Sequence, residues 1–428
     1  MNQEFFMPKH TNILCAAAFA LMTLPAVGQD LIPSAELAQV EHYKFWQVQL
    51  PLVDDDVVTR VYLVGENIYA VTARSNLYAV HADVGTIRWA TNLGGPGNLV
   101  YQPTHVRSFW GRDLTLVSTS ETIKWLDRAT GEQVATLDLD FIPSTSALSD
   151  GVRTYVCGLD SMLHCIELVP SGGGVAAIEK WRIRTQAITV SSPVLWGGGL
   201  FFASQDAKIR ACDSYDKSRF WVFKGIAPIT ADIYVDSTGV YFGSGDHNLY
   251  KLDVNTGRGL WRFRTPGMIR SQPVLIGETL YQQVQENGIY AVHTDTGKQL
   301  WHAPDAAEFI SASDEQVYIL SRYGEIVGMD QSTGRVQSRM AAGNVEFVAR
   351  NTASAAMYLG SRDGRLMCAQ HKSIPYLRFE DVQARQTSQG RVAAQTSMSA
   401  EDTVAEQGPR LIDLLRSKSD AMPVSNEN

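Results

Sequence analysis

The apolar positions of this chain come in short bursts, not in long stripes. Runs of five to seven residues rich in Val, Ile, Tyr and Phe alternate with clusters of Gly, Ser, Asp and Asn, as in VYFGSGD at 240–246 followed by LYKLD at 249–253. Such runs, punctuated by residues that tolerate positive φ, predict strands joined by tight turns. No stretch between them keeps a helical period. A nine-residue phrase closes many of the units: DVNTGRGLW at 253–261, HTDTGKQLW at 293–301 and HADVGTIRW at 81–89. Looser copies lie at 127–135, 213–221 and 330–338, and a copy stretched by a Pro-Ser-Gly-Gly-Gly loop ends at Trp181. The closing positions are Trp46, Trp89, Ala135, Trp181, Trp221, Trp261, Trp301 and Ser338. They recur at roughly 40 residues, the period of an array of one supersecondary unit. Each unit reads as a four-stranded antiparallel meander, and meanders of this size pack radially into a propeller.

Eight runs of the LYKLD type are present, beginning at Leu77, Ile123, Leu163, Ile209, Leu249, Ile289, Ile326 and Leu366. The first seven are followed by their own phrase, whereas the eighth meets only HKSIPYLRF. At the other end of the chain, KFWQVQL at 44–50 resembles the strand that begins at Trp261. The expected fold is therefore all-β: an eight-bladed propeller of four-stranded antiparallel blades. The N-terminal strand closes it as the outer strand of the last blade, which leaves no exposed edge between first and last blades. Trp46, Trp89, Trp181, Trp221, Trp261 and Trp301 recur once per blade. They are expected to be structural, packing between neighbouring sheets and burying up to ~250 Å² each. The Gly four residues before each Trp of the phrase supplies a turn conformation that a side chain resists.

Outside the repeat the chain changes character. Residues 13–24 form an uninterrupted apolar run, too short to span a bilayer, followed by Pro25-Ala26-Val27-Gly28. This pattern predicts a cleavable export signal at 1–28, with Met1 or Met7 as the start, and a periplasmic or secreted protein. Cys15 lies inside the apolar run and not at its end, which argues against a lipid anchor. Residues 29–42 are expected to be a linker, 43–383 the propeller, and 384–428 a disordered tail. From Ala384 onward there is no aromatic residue to build a core, though PRLIDLLRS at 409–417 has near-helical apolar spacing. The formal charge is −8 with no basic stripe, so nucleic acid is excluded as a partner class. The nine His are scattered, no metal site is expected, and Asp54-Asp55-Asp56 reads as a solvated loop. Cys165 and Cys368 align with Ala79, Ala211 and Ala291 and act as small hydrophobes. Cys157 and Cys165 lie on adjoining strands, and whether they form a disulfide depends on a register that the sequence leaves open.

The unit of strand, Ser-x-Asp-Gly-like turn, Leu-Tyr-Ala-Leu-Asp-like strand and Thr-Gly-x-x-x-Trp resembles the PQQ-like (quinoprotein-type) β-propeller repeat from about Trp46 to Phe379. That family has an enzymatic branch of pyrroloquinoline-quinone dehydrogenases. Its non-enzymatic branch includes the propeller subunit of the outer-membrane β-barrel assembly machine. The enzymes carry adjacent cysteines and long loops over the cofactor; this chain has neither. The resemblance therefore implies a non-enzymatic, monomeric protein-binding or scaffold module of the cell envelope, with no cofactor and a protein or peptide partner. The alternative is a quinone-dependent oxidoreductase with its site at the channel mouth. A partner face is expected where the inner strands begin, at Gln102, Ser191, Ser192, Thr230, Arg270, Ser271 and Gln272. Arg270 is the charge that would hold a carboxylate or a peptide terminus there.

Overall fold

The computed structural model describes residues 30–373 except Asp54 and Gly173; the expected signal at 1–28 and the expected tail at 384–428 lie outside the described residues. Eight four-stranded antiparallel sheets follow one another along the chain. Blades 1 to 7 occupy 58–92, 104–138, 148–184, 194–224, 234–264, 274–303 and 306–341. Blade 8 combines Phe347–Ala349, Met357–Gly360 and Arg365–His371 with His42–Gln49 as its outer strand. Trp46 stands opposite Cys368 and Val48 opposite Leu366, so the N-terminal strand closes the ring as the sequence predicts. The second strands are the driest layer. Asn67–Thr72, Gly199–Ser204 and Gly239–Ser244 are buried at every position, because each lies between the sheets of its two neighbours.

One device joins most blades. In every blade the register between third and outer strands slips by one residue beside the closing position. A bulge of this kind re-aims a side chain. Here it accompanies a Trp that reaches the following blade. Trp221 donates from Nε1 to the Val254 carbonyl at 3.0 Å, Trp261 to Thr294 at 2.7 Å and Trp301 to Gln331 at 2.8 Å. Trp46 and Trp89 make the same bond to Ala82 and Arg128, both at 2.9 Å. Each indole lies on the phrase glycine of the next blade. A Cβ on Gly297 (φ +66) would sit 2.7 Å from the Trp261 ring, and one on Gly257 (φ +69) 2.5 Å from Trp221. The glycine thus answers to two constraints, a left-handed backbone and a neighbour's ring, of which the sequence revealed only the first.

Three junctions depart from this pattern. In blade 2, large and small are exchanged: Trp125 on the third strand faces Ala135 on the outer strand, and the buried indole N–H has no partner. Between blades 3 and 4 the glycine is replaced by Lys217 at φ 57, whose ammonium lies 5.9 Å from the Trp181 ring. The Tyr155 hydroxyl takes the Ser214 carbonyl at 2.7 Å, the position that serves the indole elsewhere, and Trp181 Nε1 is left without a partner. Blade 7 ends at Ser338 and offers blade 8 no aromatic ring.

The seam between blades 7 and 8 is filled from the other end of the chain. Residues expected to be a linker fold into the short helix Ser34–Gln39, which lies against the outer strands of both blades. Leu31, Ile32, Leu37 and Val40 are buried there against Ile326, Met340, Val348 and Met357. The sequence reading missed this because a six-residue helix with one tight apolar pair before it leaves no periodic signature. The Cys157–Cys165 disulfide is also not formed. Cys157 faces Leu163 and Cys165 faces Tyr155 across the hairpin, and all four described cysteines are free and buried. Burial pushes the thiols of Cys157, Cys165 and Cys212 up to about 12, away from the reactive thiolate.

Candidate functional site

Antiparallel meanders sort their loops by face. The loop from each outer strand to the next inner strand shares a face with the turn between second and third strands. Backbone bonds tie the two at equivalent positions around the ring. Ser120 N donates to Leu99 O at 3.0 Å, Leu159 to Ile142 at 2.8 Å, Gln205 to Ile188 at 2.9 Å and Gln285 to Met268 at 2.9 Å. The carbonyls point into the fold and the side chains outward. Val53, Val57, Leu99, Ile142, Leu159, Ile226, Met268 and Tyr323 stand exposed on this face, with Ile226 at 82% and Ile142 at 54%. Among the described residues, the opposite face exposes only Phe109, Val152 and Tyr215 of its large apolar side chains. Its turns satisfy themselves: the Asp253 carboxylate accepts from Thr256 N at 2.8 Å and Thr256 Oγ1 at 2.7 Å. Asp330 does the same with Thr333 and Ser332, bonds that hold its carboxyl down at about 2. Exposed apolar side chains thus gather on one face, while the turns of the other are closed and polar.

The structure places the expected site residues on that face, but most are spent on holding blades together. Ser191 is buried, and its Oγ accepts from Ile233 N at 3.1 Å. Ser192 N donates to the Asp232 carboxylate at 2.6 Å. Thr230 Oγ1 donates to Ile269 O at 2.7 Å, and Gln272 Nε2 to Ile233 O at 2.8 Å. Ser271 Oγ donates to Gln283 O at 3.2 Å within its own blade. Gln102 is exposed. Arg270 is exposed as well, and its guanidinium donates to Met268 Sδ at 3.6 Å.

The charges that do face the channel are Asp232, Glu308 and Arg350, which the sequence reading passed over. Asp232 precedes the inner strand of blade 5, Glu308 lies on the inner strand of blade 7, and Arg350 follows that of blade 8. Burial raises the carboxyls of Asp232 and Glu308 above their ordinary range, with Arg350 opposing the rise. The same burial lowers the guanidinium, and Glu308 and Asp232 sustain it. All three are surrounded by protein yet keep part of their surface open. Asp232 was legible in TADIYV, where it aligns with Ser192 and Gln272, so Arg270 is not the only charge at these positions. Glu308 and Arg350 carried no signal, because blades 7 and 8 lack the Ser-x-Pro-Val entry that located the other inner strands.

The fold is an eight-bladed propeller of four-stranded antiparallel blades. A family model described as outer membrane protein assembly factor BamB matches residues 227–408. No curated protein sequence matches the chain. Among solved structures, BamB from Moraxella catarrhalis is similar at 16% identity and a TM-score of 0.61, covering 78% of this chain and 99% of that one. The computationally designed Ika8 protein (12% identity, TM-score 0.57) covers 76% of this chain and 98% of its own. Sqt1 of Saccharomyces cerevisiae (11% identity, TM-score 0.57) covers 75% and 98%. At these identities the likeness speaks for the fold. The chain is thus an eight-bladed propeller similar in fold to BamB, and residues 227–408 match the BamB family model.

Proposed function

We propose that the protein is an exported, non-enzymatic scaffold of the cell envelope that docks a protein partner on its apolar loop face. The observation that carries this reading is the exposed apolar set Leu99, Ile142 and Met268, repeated at one register position across three blade junctions. Patches of this kind are the usual mark of a protein-binding surface. The likeness to an assembly factor supports the envelope setting. The described cysteines are buried thiols, which suits an oxidising compartment because none offers an exposed sulfur for unwanted pairing.

The test is paired capture from the periplasm. Wild type, an Ile142→Glu/Met268→Glu variant of the loop face and a Tyr215→Glu variant of the opposite face are compared by mass spectrometry. The partner is expected on wild type and Tyr215→Glu and lost from the double variant. A partner set that ignores the loop face, or that follows Tyr215, overturns the reading.

A further inference from the structure

Blade 8 sends Arg350 in front of blade 7 to meet the Gln272 carbonyl of blade 6 at 3.5 Å. A side chain that skips a blade in this way runs as a chord through the central channel. We propose that the channel binds a carboxylate on the Arg350 guanidinium, between Asp232 and Glu308.

Several other half-buried cations among the described residues are closely matched. Arg210 is paired with Asp206, Arg128 with Asp113 at 3.2 Å, and Arg153 with Glu167 at 3.7 Å. Buried Lys251 donates to the Thr294 carbonyl at 3.1 Å. Arg350 differs. Its guanidinium carries five N–H donors, and its one hydrogen bond among the described residues is at the outer limit of length. Asp232 and Glu308 act on it through their field but stand outside ion-pair distance. None of its remaining nitrogens is sealed from solvent. The structure therefore presents an under-bonded fork, enclosed by protein and open to the channel.

The chemistry of the flanking groups selects the ligand. A carboxylate matches the guanidinium fork with two parallel N–H···O bonds. A phosphate brings more negative charge against Asp232 and Glu308 and is disfavoured. Burial raises both carboxyls above their ordinary range, which lessens their repulsion of a bound anion. The carboxylate can belong to a free small acid or to an acidic side chain of a peptide. The site does not depend on the loop face binding a protein.

Phenylglyoxal labelling of the intact protein tests this without a variant. Arg350 modification is followed by peptide mass spectrometry, with exposed Arg270 as the internal standard. Sodium acetate and a capped tripeptide carrying one glutamate serve as probes. Acetamide and the glutamine tripeptide are their neutral counterparts. The acids are expected to slow Arg350 labelling several-fold and saturably, leaving Arg270 unchanged, while the amides do nothing. Protection by acetate alone assigns the site to free acids, and protection by the glutamate peptide at lower concentration assigns it to a partner segment. Equal protection by amides, no protection by either acid, or an Arg350 that does not react in the absence of probes overturns the proposal.

Discussion

The junctions from blade 4 to blade 7 and the seam between blades 7 and 8 solve one packing problem in different ways. At the former, Trp221, Trp261 and Trp301 each lie on a glycine of the next blade and bond its backbone. Every part of that device lies within about one repeat length in sequence. At the seam there is no such ring, and the gap is closed by Leu31, Ile32, Leu37 and Val40, with His42–Gln49 completing the sheet. Those residues come from the opposite end of the chain. The regular junctions form from local contacts, whereas the seam waits for the longest loop closure in the molecule. The ring is therefore a repeat array that becomes a single cooperative object only when its ends meet.

Deleting the chain through Leu50 attacks this difference most strongly. It removes both the seam filler and the outer strand of blade 8. Blade 8 then exposes an edge along Arg365–His371. Circular dichroism and thermal melting are expected to report loss of the cooperative transition. Deletion through Val40 keeps the strand and removes four buried side chains, each worth about 1.5–3 kcal/mol. It should lower the melting temperature yet leave one transition. Equal damage by the two deletions would mean that strand and helix form one unit.

Single substitutions compare the two closures at finer grain. Trp261→Ala at a regular junction is expected to cost about 3–5 kcal/mol, and Leu37→Ala at the seam about 2–5 kcal/mol. Denaturant titration measures both. Gly297→Ala should cost about 1–3 kcal/mol, since it combines a disfavoured left-handed φ with a clash against the Trp261 ring. In a Trp261→Ala background the clash is gone and only the backbone part should persist. An unchanged cost would show that the ring plays no part in the choice of glycine.

The channel carboxyls give a smaller effect of definite sign. Their folded pKa values lie above the unfolded ones. The stability they contribute is fully present below the ordinary carboxylate pKa and is lost as pH rises through the folded values. Asp232→Asn and Glu308→Gln are therefore expected to stabilise the protein at neutral pH, with the gain fading in acid. Melting curves across that range check it, and a gain that grows in acid would reverse the assignment. The smallest effect expected is none: truncation after Gln383 should leave the melting temperature within error, and titration with pyrroloquinoline quinone plus Ca²⁺ should give no saturable absorbance change. The quinone carries several carboxylates, and a single guanidinium can match only one of them.

The sequence by itself determined the period, the four-strand unit, the blade count and the identity of the closing strand. These follow from local signals, namely alternating apolar runs, φ-permissive turns and a phrase that repeats, and local signals survive in a string of letters. It also located the loop face through the residues that open the inner strands. What only the tertiary structure decided is what those residues touch. Ser191, Ser192, Thr230 and Gln272 look like a polar lining but bond across to a neighbouring blade. Arg270 contacts Met268 of the same loop. Arg350 gains its importance from Gln272, Glu308 and Asp232, which lie in three other blades. Likewise the stretch before Tyr43 becomes core because Ser338 leaves a space some 300 residues later, a complementarity that exists only once the ring has closed.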